Sequence, residues 1–212
     1  MLKAAIQDAL NSAGNFGWIL EPDAKRLLRA AGMRVPVFKV CQKVDKAVSW
    51  AKEIGYPVAA KVVSPNAMHK SEVKGVVVGI GDDDALGGAY KHFRRIEGFC
   101  GMLVEKMIAG VEVIIGAKID YQFGPIILMG IGGTAVEIYQ DTAIRMAPLT
   151  EKDVRSMVGS LKARALLEGY RGSEAVNMEA LVETMLAFSD LVITLGERFE
   201  SIDLNPVMCS AE

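Results

Sequence analysis

The sequence predicts an α+β protein with two lobes, one formed by residues 1–100 and the other by residues 101–212. Helical and strand-like patterns alternate up to about residue 100, whereas closely spaced strand patterns separated by turns follow it. The hydrophobic fraction of 51% and the mean hydropathy of +0.26 indicate a compact chain with a well-filled core. No repeat and no low-complexity linker interrupts this pattern.

Proline, glycine and aspartate predict the helices of the first lobe. Pro22 stands where the first turn of a helix accepts proline, and Gly32 is suited to end that helix. Asp45 is expected to cap a second helix, which Gly55 closes. Three consecutive aspartates at 82–84 favour the start of a third helix, which runs to about residue 97. Apolar runs between the helices predict strands at residues 35–40, 58–63 and 76–80.

Turn residues divide the second lobe into short strands. Apolar runs predict strands at residues 102–106, 112–118, 126–130 and 135–139. Thr150 and Asp153 have the spacing of a capping box and predict the start of a helix. Another helix is predicted after Asn177, because the apolar residues that follow repeat on one helical stripe. A last strand at residues 200–204 leads into Pro206.

Charge, cysteine content and hydropathy argue against several classes of protein. A net charge of -2 provides no basic field that would attract nucleic acid or anionic lipid, so any bound anion must meet a local cluster of positive groups. The three cysteines are far apart and form no Cys-x-x-Cys pair, which indicates reduced thiols. No apolar stretch approaches the roughly 18 residues that span a bilayer. We therefore expect a cytoplasmic protein that binds neither membrane nor nucleic acid.

The segment between the predicted strands 58–63 and 76–80 carries the chemistry of phosphate binding. Lys61 lies in the first of these strands, and His69, Lys70 and Ser71 occupy the loop that ends at Gly75. Lysines supply point charges, glycine allows the backbone to approach a phosphate, and histidine can accept a phosphoryl group. The alternative for each residue taken alone is a solvated surface turn.

Two further segments suggest nucleotide and metal contacts. Glu105 with the backbone of Ile108 could meet an adenine amino group, and Glu112 could accept hydrogen bonds from ribose hydroxyls. Asp203 and Asn205 stand two apart on a strand and so present two oxygen ligands on one face, as Mg²⁺ prefers. The alternatives are a solvated glutamate–lysine pair in the first segment and a polar edge strand in the second.

A glycine-rich segment, residues 130–137, precedes the predicted strand at 135–139 and opens no helix. It is not a dinucleotide-binding fingerprint, and the chain has no Walker-type motif. The segment could let main chain approach a phosphate, and a tight turn between strands is the alternative. His92, the other histidine, is interpreted as a residue on a helix face.

These motifs occur in the order found in ATP-grasp proteins, and the chain resembles the β subunit of ADP-forming acyl-CoA synthetases. These enzymes are also called acetate–CoA ligases (ADP-forming) and are relatives of succinyl-CoA synthetase. The resemblance runs from about residue 21 to residue 207. Its most specific parts are Lys61-Val62-Val63-Ser64-Pro65, His69-Lys70-Ser71, Gly124-Pro125, Gly130-Ile131-Gly132-Gly133 with Val136-Glu137, and Asp203-Leu204-Asn205-Pro206.

The resemblance implies an ATP-grasp fold with a nucleotide cleft between the two lobes, in the nucleotide-binding subunit of an acid–thiol ligase. In such enzymes acyl-CoA and phosphate give an acyl phosphate, which phosphorylates a histidine on a separate CoA-binding α subunit. A second histidine, on the ATP-grasp subunit, relays the group to ADP. The resemblance assigns the relay to His69, phosphate binding to Lys61, adenine to Glu105 and Ile108, ribose to Glu112, and Mg²⁺ to Asp203 and Asn205. Lys70 and Ser71, in the same motif as His69, are expected to bind the nucleotide as well.

The chain departs from the family pattern in two places. Lys74 precedes Gly75 where the family more often has a second glycine, and the chain ends six residues after Pro206, where relatives continue into another strand. Two other functions are compatible with these motifs. One is a non-catalytic ATP-sensing domain. The other is a stand-alone ATP-grasp carboxylate–amine ligase, for which no insertion long enough to build an acceptor pocket is visible.

Overall fold

The computed structural model describes residues 2–14, 16–133 and 140–212, and the chain divides into two compact units. The first contains Met1–Ala30 and Arg34–Ile108, and the second contains Ala31–Met33 and Ala109–Glu212. The strand Gly101–Lys106, which the sequence analysis expected in the second lobe, therefore belongs to the first unit. Within the described ranges, no helix has the length and apolar content that would let it cross a membrane.

The first unit is a four-stranded antiparallel sheet with helices. Its described elements are α1 (Leu2–Ala13), α2 (Glu21–Ala30), β1 (Phe38–Cys41), α3 (Val44–Ile54), β2 (Val58–Val63), β3 (Val76–Ile80), α4 (Asp83–Phe93) and β4 (Gly101–Lys106). The strand order is β1-β4-β2-β3, so that β2 and β4 are the two central strands.

The two faces of this sheet have different environments. Apolar side chains of β2 and β4 are buried in one core with residues of α3 and α4; these strand residues are Val58, Ala60, Val62, Met102 and Val104. Because side chains alternate along a strand, Lys61 and Glu105 point to the opposite face. Ala59 pairs with Glu105 in the β2–β4 register, which makes Lys61 and Glu105 diagonal neighbours on that face.

The second unit is also built on a four-stranded antiparallel sheet, with strand order β7-β6-β5-β8. Its described elements are β5 (Val111–Asp120), β6 (Gly124–Ile131), β7 (Thr142–Met146), α5 (Glu151–Ser160), α6 (Ala165–Glu168), α7 (Met178–Leu195), a 3₁₀ helix (Gly196–Arg198) and β8 (Ser201–Cys209). Val113, Ile115, Ile127 and Met129 are fully buried on one face of the sheet. Glu112 lies on the other face.

Several helix starts agree with the sequence analysis in detail. The Thr150 side chain accepts a hydrogen bond from the Asp153 amide, and the Asp153 carboxylate accepts one from the Thr150 amide, so the capping box is confirmed. Asn177 caps α7 through the Ala180 amide, and Asp82 caps α4 through the Ala85 amide. Polar side chains thus satisfy amides that the first turn of each helix leaves unpaired.

Other details of the prediction were wrong. Asp45 does not cap α3, because the cap is Lys43, in an extended conformation without a side-chain hydrogen bond, and Asp45 lies in the first turn. The first strand begins at Phe38 instead of residue 35, and the helix expected to reach residue 97 ends at Phe93. The strand Thr142–Met146 was not predicted. The strand predicted at 135–139 lies outside the described residues.

The last strand is longer than predicted, because β8 runs through Pro206 to Cys209. Proline donates no backbone hydrogen bond, so Asn205-Pro206 indicates a strand end from the sequence. In the structure, a register shift between Val113 and Ile115 of β5 accommodates this dipeptide, and pairing resumes from Val207 to Cys209.

Candidate functional site

A cluster of charged side chains covers part of the polar face of the first sheet. Lys61 of β2 places its Nζ 2.9 Å from Oε1 of Glu105 on β4. The Glu105 carboxylate is buried, with its side chain only 8% exposed. An ionised carboxylate so far from water requires close positive charge, and Lys61 supplies part of it.

Helix α2 brings two more charges to the same face. Glu21 Oε1 accepts a hydrogen bond from Lys61 Nζ at 2.8 Å. Lys25, one turn later on the helix, lies 2.8 Å from Glu105 Oε2 and 3.6 Å from Glu21 Oε1. Residues four apart share one side of a helix, so both side chains point at the sheet. Lys70, from the loop after β2, pairs with the second oxygen of Glu21.

The lysines determine the ionisation of this cluster. Burial opposes the charged form of Glu21, but Lys61, Lys70 and Lys25 outweigh that effect and lower its pKa from 4.5 to about 2. Burial likewise disfavours the charged form of Lys61, yet Glu21 and Glu105 raise its pKa above the ordinary value. Both groups are therefore charged at neutral pH.

Glu105 is held by ion pairs without a full set of hydrogen bonds. Its Oε2 lies 2.8 Å from Lys25 Nζ but makes no hydrogen bond to any described residue. The carboxylate that the sequence assigned to adenine thus already contacts two lysines. Its role towards adenine stays a prediction, as does that of Ile108, which is exposed where the first unit ends.

The loop after β2 is tied to the rest of the first unit at both ends. At its start, the Ser64 hydroxyl donates to the Glu97 carbonyl at 2.6 Å and accepts from the Asn66 amide at 3.0 Å. At its end, the Gly75 carbonyl accepts from the Val62 amide of β2 at 2.8 Å, and the Gly75 amide donates to the Lys70 carbonyl at 2.6 Å. A Cβ on Gly75 would lie 2.5 Å from the Val62 side chain, so only glycine fits there.

The predicted loop residues differ in their surroundings. His69 and Ser71 are exposed, whereas Lys70 is half-buried against Glu21. Nε2 of His92, on α4, lies 3.3 Å from the Val73 carbonyl, so the second histidine contacts the loop that carries the first. An exposed imidazole next to an ion-paired lysine is accessible to a reaction partner from outside this unit.

Glu112 and the glycine-rich turn meet in the second unit. The Gly132 amide donates to the Glu112 carbonyl at 2.5 Å, and a Cβ on Gly132 would lie 2.8 Å from that of Glu112. A Cβ on Gly133 would lie 3.7 Å from the Glu112 carboxylate. Gly132 therefore allows the turn to approach Glu112 closely.

Asp203 and Asn205 are exposed on β8, and Asp203 pairs with Gly116 of β5. Glu112 and Gly116 are four residues apart on β5 and therefore lie on the same face of this sheet. Asp203 pairs with Gly116, so Asp203 and Glu112 share that face. Partial burial raises the pKa of Asp203 above its usual value. Among the described residues, no positive side chain lies within 4 Å of it, and no group of three or more histidine, cysteine or acidic residues could hold a metal. An unpaired, partly desolvated carboxylate beside an amide oxygen fits Mg²⁺, with phosphate and water as the other ligands.

The structure thus brings Lys61 into contact with Glu105, and Glu21 links Lys61 to Lys70, which shares its loop with His69 and Ser71. Glu112, Asp203 and Asn205 belong to the second unit. Sequence reasoning missed Glu21 and Lys25, which contact the lysines and glutamate just named. Their spacing of four residues was the available signal, and it is equally typical of a solvated helix pair.

Comparison with known proteins identifies the family. The ATP-grasp domain family matches residues 11–212. The β subunit of acetate–CoA ligase (ADP-forming) II from Pyrococcus furiosus is 40% identical over 197 residues, which cover 89% of this chain and 84% of that protein.

Two solved structures of acetyl-coenzyme A synthetase 1 from Candidatus Korarchaeum cryptofilum are similar to this chain. One, with coenzyme A, Ca-AMPCP and HgCl⁺, has a TM-score of 0.89 and 35% identity over 97% of this chain and 94% of that chain. The other, with coenzyme A and Mg-AMPPCP, has a phosphohistidine segment pointing towards the nucleotide-binding site; its TM-score is 0.82 and its identity 36%, over 97% and 93% of the two chains. The chain therefore belongs to the ATP-grasp family, among the β subunits of ADP-forming acyl-CoA synthetases.

Proposed function

We propose that this chain is the nucleotide-binding subunit of an ADP-forming acyl-CoA synthetase and that His69 exchanges a phosphoryl group with a bound nucleotide. One observation carries the proposal. The exposed His69 precedes Lys70 in the loop, and Glu21 joins Lys70 to Lys61, so the phosphoryl acceptor lies in a segment tied to two positive groups. Phosphoryl transfer depends on positioning and charge neutralisation, which these residues provide.

The other site residues have distinct roles in the proposal. Lys61, Lys70 and Ser71 bind the nucleotide phosphates, Ile108 and Glu105 contact the adenine, and Glu112 binds the ribose. Asp203 and Asn205 would hold Mg²⁺, which when bound neutralises charge on the phosphates. The exposed oxygen ligands of β8 and the lysine cluster of the first sheet support this division.

The proposed step conserves atoms and charge. An imidazole nitrogen of His69 attacks the γ-phosphorus of ATP, the bond to the bridging oxygen breaks, and ADP leaves with that electron pair. The phosphoryl group then passes from His69 to a histidine of the partner, and the reverse sequence makes ATP. Neutral imidazole is a competent nucleophile near pH 7. Lys61 and Lys70 stabilise the negative charge that the leaving phosphate carries.

The proposed partner is a CoA-binding α subunit, which forms the acyl phosphate and carries the first phosphohistidine. The relative from Pyrococcus furiosus is itself named a β subunit. We place the complex in the cytoplasm, where ATP is abundant and thiols remain reduced. Cys41, Cys100 and Cys209 are all free, which supports this placement.

Labelling with γ-³²P-ATP tests the relay. The chain, purified together with its α subunit, should acquire an acid-labile, base-stable label, and His69→Asn should remove that label from this chain. His92→Gln is the matched control, because it changes the other histidine and should leave the label in place. A label on this chain that survives His69→Asn would exclude the relay, and an unlabelled wild-type complex would contradict the proposed function.

A further inference from the structure

Five charged side chains of the first unit form one contact network, the Glu21 cluster: Glu21, Lys25, Lys61, Lys70 and Glu105. Among the described residues, Glu21 is the member that contacts all three lysines. Its Oε1 lies 2.8 Å from Lys61 Nζ, and its Oε2 pairs with Lys70. Glu105 contacts Lys25 and Lys61 but makes no ion pair with Lys70.

Glu21 holds the two lysines in the manner of a bound phosphate. Lys61 and Lys70 come from a strand and from the loop after it, and the Glu21 carboxylate bridges them with one oxygen each. A phosphate group that bound both lysines would use two oxygens in the same way. If Glu21 stayed in place beside such a phosphate, two negative groups would repel each other at short range.

We propose that Glu21 is a tethered anion that competes with the nucleotide phosphates for Lys61 and Lys70, and that Lys25 neutralises it once it is displaced. The inference rests on the proposed function, which assigns these two lysines to the phosphates. Lys25 already lies 3.6 Å from Glu21 Oε1, one turn along the same helix. Glu105 keeps its pairs with Lys25 and Lys61, so the exchange leaves no carboxylate unpaired.

Two features keep Glu21 charged near neutral pH. The lysines lower the pKa of Glu21 to about 2, so the carboxylate remains charged throughout the neutral range. Glu21 is also the first residue of α2, where the helix dipole favours a negative charge. A change of pH near neutrality therefore cannot release the lysines, and substitution is the direct way to remove the competitor.

Titration of the full chain with ADP, in the presence of Mg²⁺, tests the inference by calorimetry. Glu21→Gln keeps the shape of the side chain but cannot pair as an anion. We expect it to bind ADP about tenfold more tightly than the wild type, since a charged hydrogen bond contributes at least that factor. Glu72→Gln is the matched control. It removes an exposed carboxylate from the loop that carries Lys70 and should leave the affinity for ADP unchanged.

A second variant covers the case in which Glu21→Gln does not fold. Glu21→Asp keeps the charge but is one methylene shorter, so it cannot bridge both lysines, and we expect a smaller gain in ADP affinity. Equal or weaker ADP binding by the folded variant would overturn the inference, because Glu21 would then position the lysines instead of competing for them. If neither the wild type nor any variant bound ADP, the proposed nucleotide site itself would fail.

Discussion

Glu21 and Glu105 both lie among lysines, but they differ in accessibility. The Glu105 side chain is 8% exposed and bound to a strand lysine and a helix lysine, whereas Glu21 is 22% exposed and reaches the loop. Removing one partner from a buried pair leaves an uncompensated charge. Glu105 therefore fixes Lys61 to the sheet, and Glu21 is the carboxylate that a ligand can replace.

The ion pairs of Glu21 should make stability depend on acid pH. The folded pKa of about 2 lies below the ordinary value of 4.5, so the stabilisation is complete above pH 4.5 and is lost as the pH falls towards 2. In urea unfolding between pH 5 and about 3, the unfolding free energy of the wild type should fall more steeply than that of Glu21→Gln. Glu72→Gln should keep the wild-type slope. Equal slopes for the wild type and Glu21→Gln would show that the ion pairs do not stabilise the folded state.

Individual site residues were predictable to different degrees. Lys61 and Lys70 could be proposed as site residues because a lysine in a buried strand and another beside a histidine are unusual enough to suggest a ligand. Glu21 and Lys25 could not, since their contacts depend on how α2 lies against the sheet. That packing follows from long-range contacts that no local pattern contains.

At the scale of elements, a short apolar run between turn residues was the most reliable signal for a strand. The strand Val58–Val63 was predicted at its observed bounds, because its apolar run is short and flanked by turn residues. Strand β8 was predicted too short, since proline normally interrupts pairing, and the extra residue of β8 that accommodates it is visible only in its pairing with β5. A strand's length therefore depends on its neighbour as well as on its own sequence.

The loop before Gly75 contains a backbone conformation that its residue does not favour. Lys74 has a φ of 50°, in the left-handed region, which costs a residue with a side chain about 1–2 kcal/mol. Glycine adopts this conformation without that penalty, although it loses more entropy on folding. We therefore expect Lys74→Gly to raise the unfolding free energy by about 0.5–1 kcal/mol in urea denaturation.

Lys91→Gly provides the opposite case. Lys91 lies in α4, where glycine is unfavourable, so this variant should lose about 1 kcal/mol of stability. If both substitutions destabilised the protein, the strain assigned to Lys74 would be absent in solution.

At the scale of the whole molecule, the two units carry complementary groups. The first provides ammonium groups that attract phosphate, and the second provides oxygen ligands suited to Mg²⁺. The proposed function requires one nucleotide to contact both sets. Binding of ADP with and without Mg²⁺ separates their contributions, because the proposal assigns the lysines to the phosphates directly and Asp203 to the metal.

Lys61→Met should weaken ADP binding by about tenfold or more whether Mg²⁺ is present or chelated, since it removes a charged contact to phosphate. Asp203→Asn should leave metal-free binding unchanged and remove most of the gain that Mg²⁺ provides. Calorimetry should give one ADP per chain in every case. Asp190→Asn, at an exposed acidic residue of α7 in the same unit, is the control and should keep the full gain from Mg²⁺.

Each result of this comparison has a definite meaning for the molecule. Because distant, independent groups have additive effects, a loss with Asp203→Asn that appears only with Mg²⁺ places a metal ligand of the bound nucleotide in the second unit. If Mg²⁺ strengthened ADP binding by Asp203→Asn as much as by the wild type, the first unit would bind the Mg²⁺–ADP complex alone. The proposed roles of Asp203 and Asn205 would then be wrong, whereas a loss with Lys61→Met would still support the lysine cluster as the phosphate site.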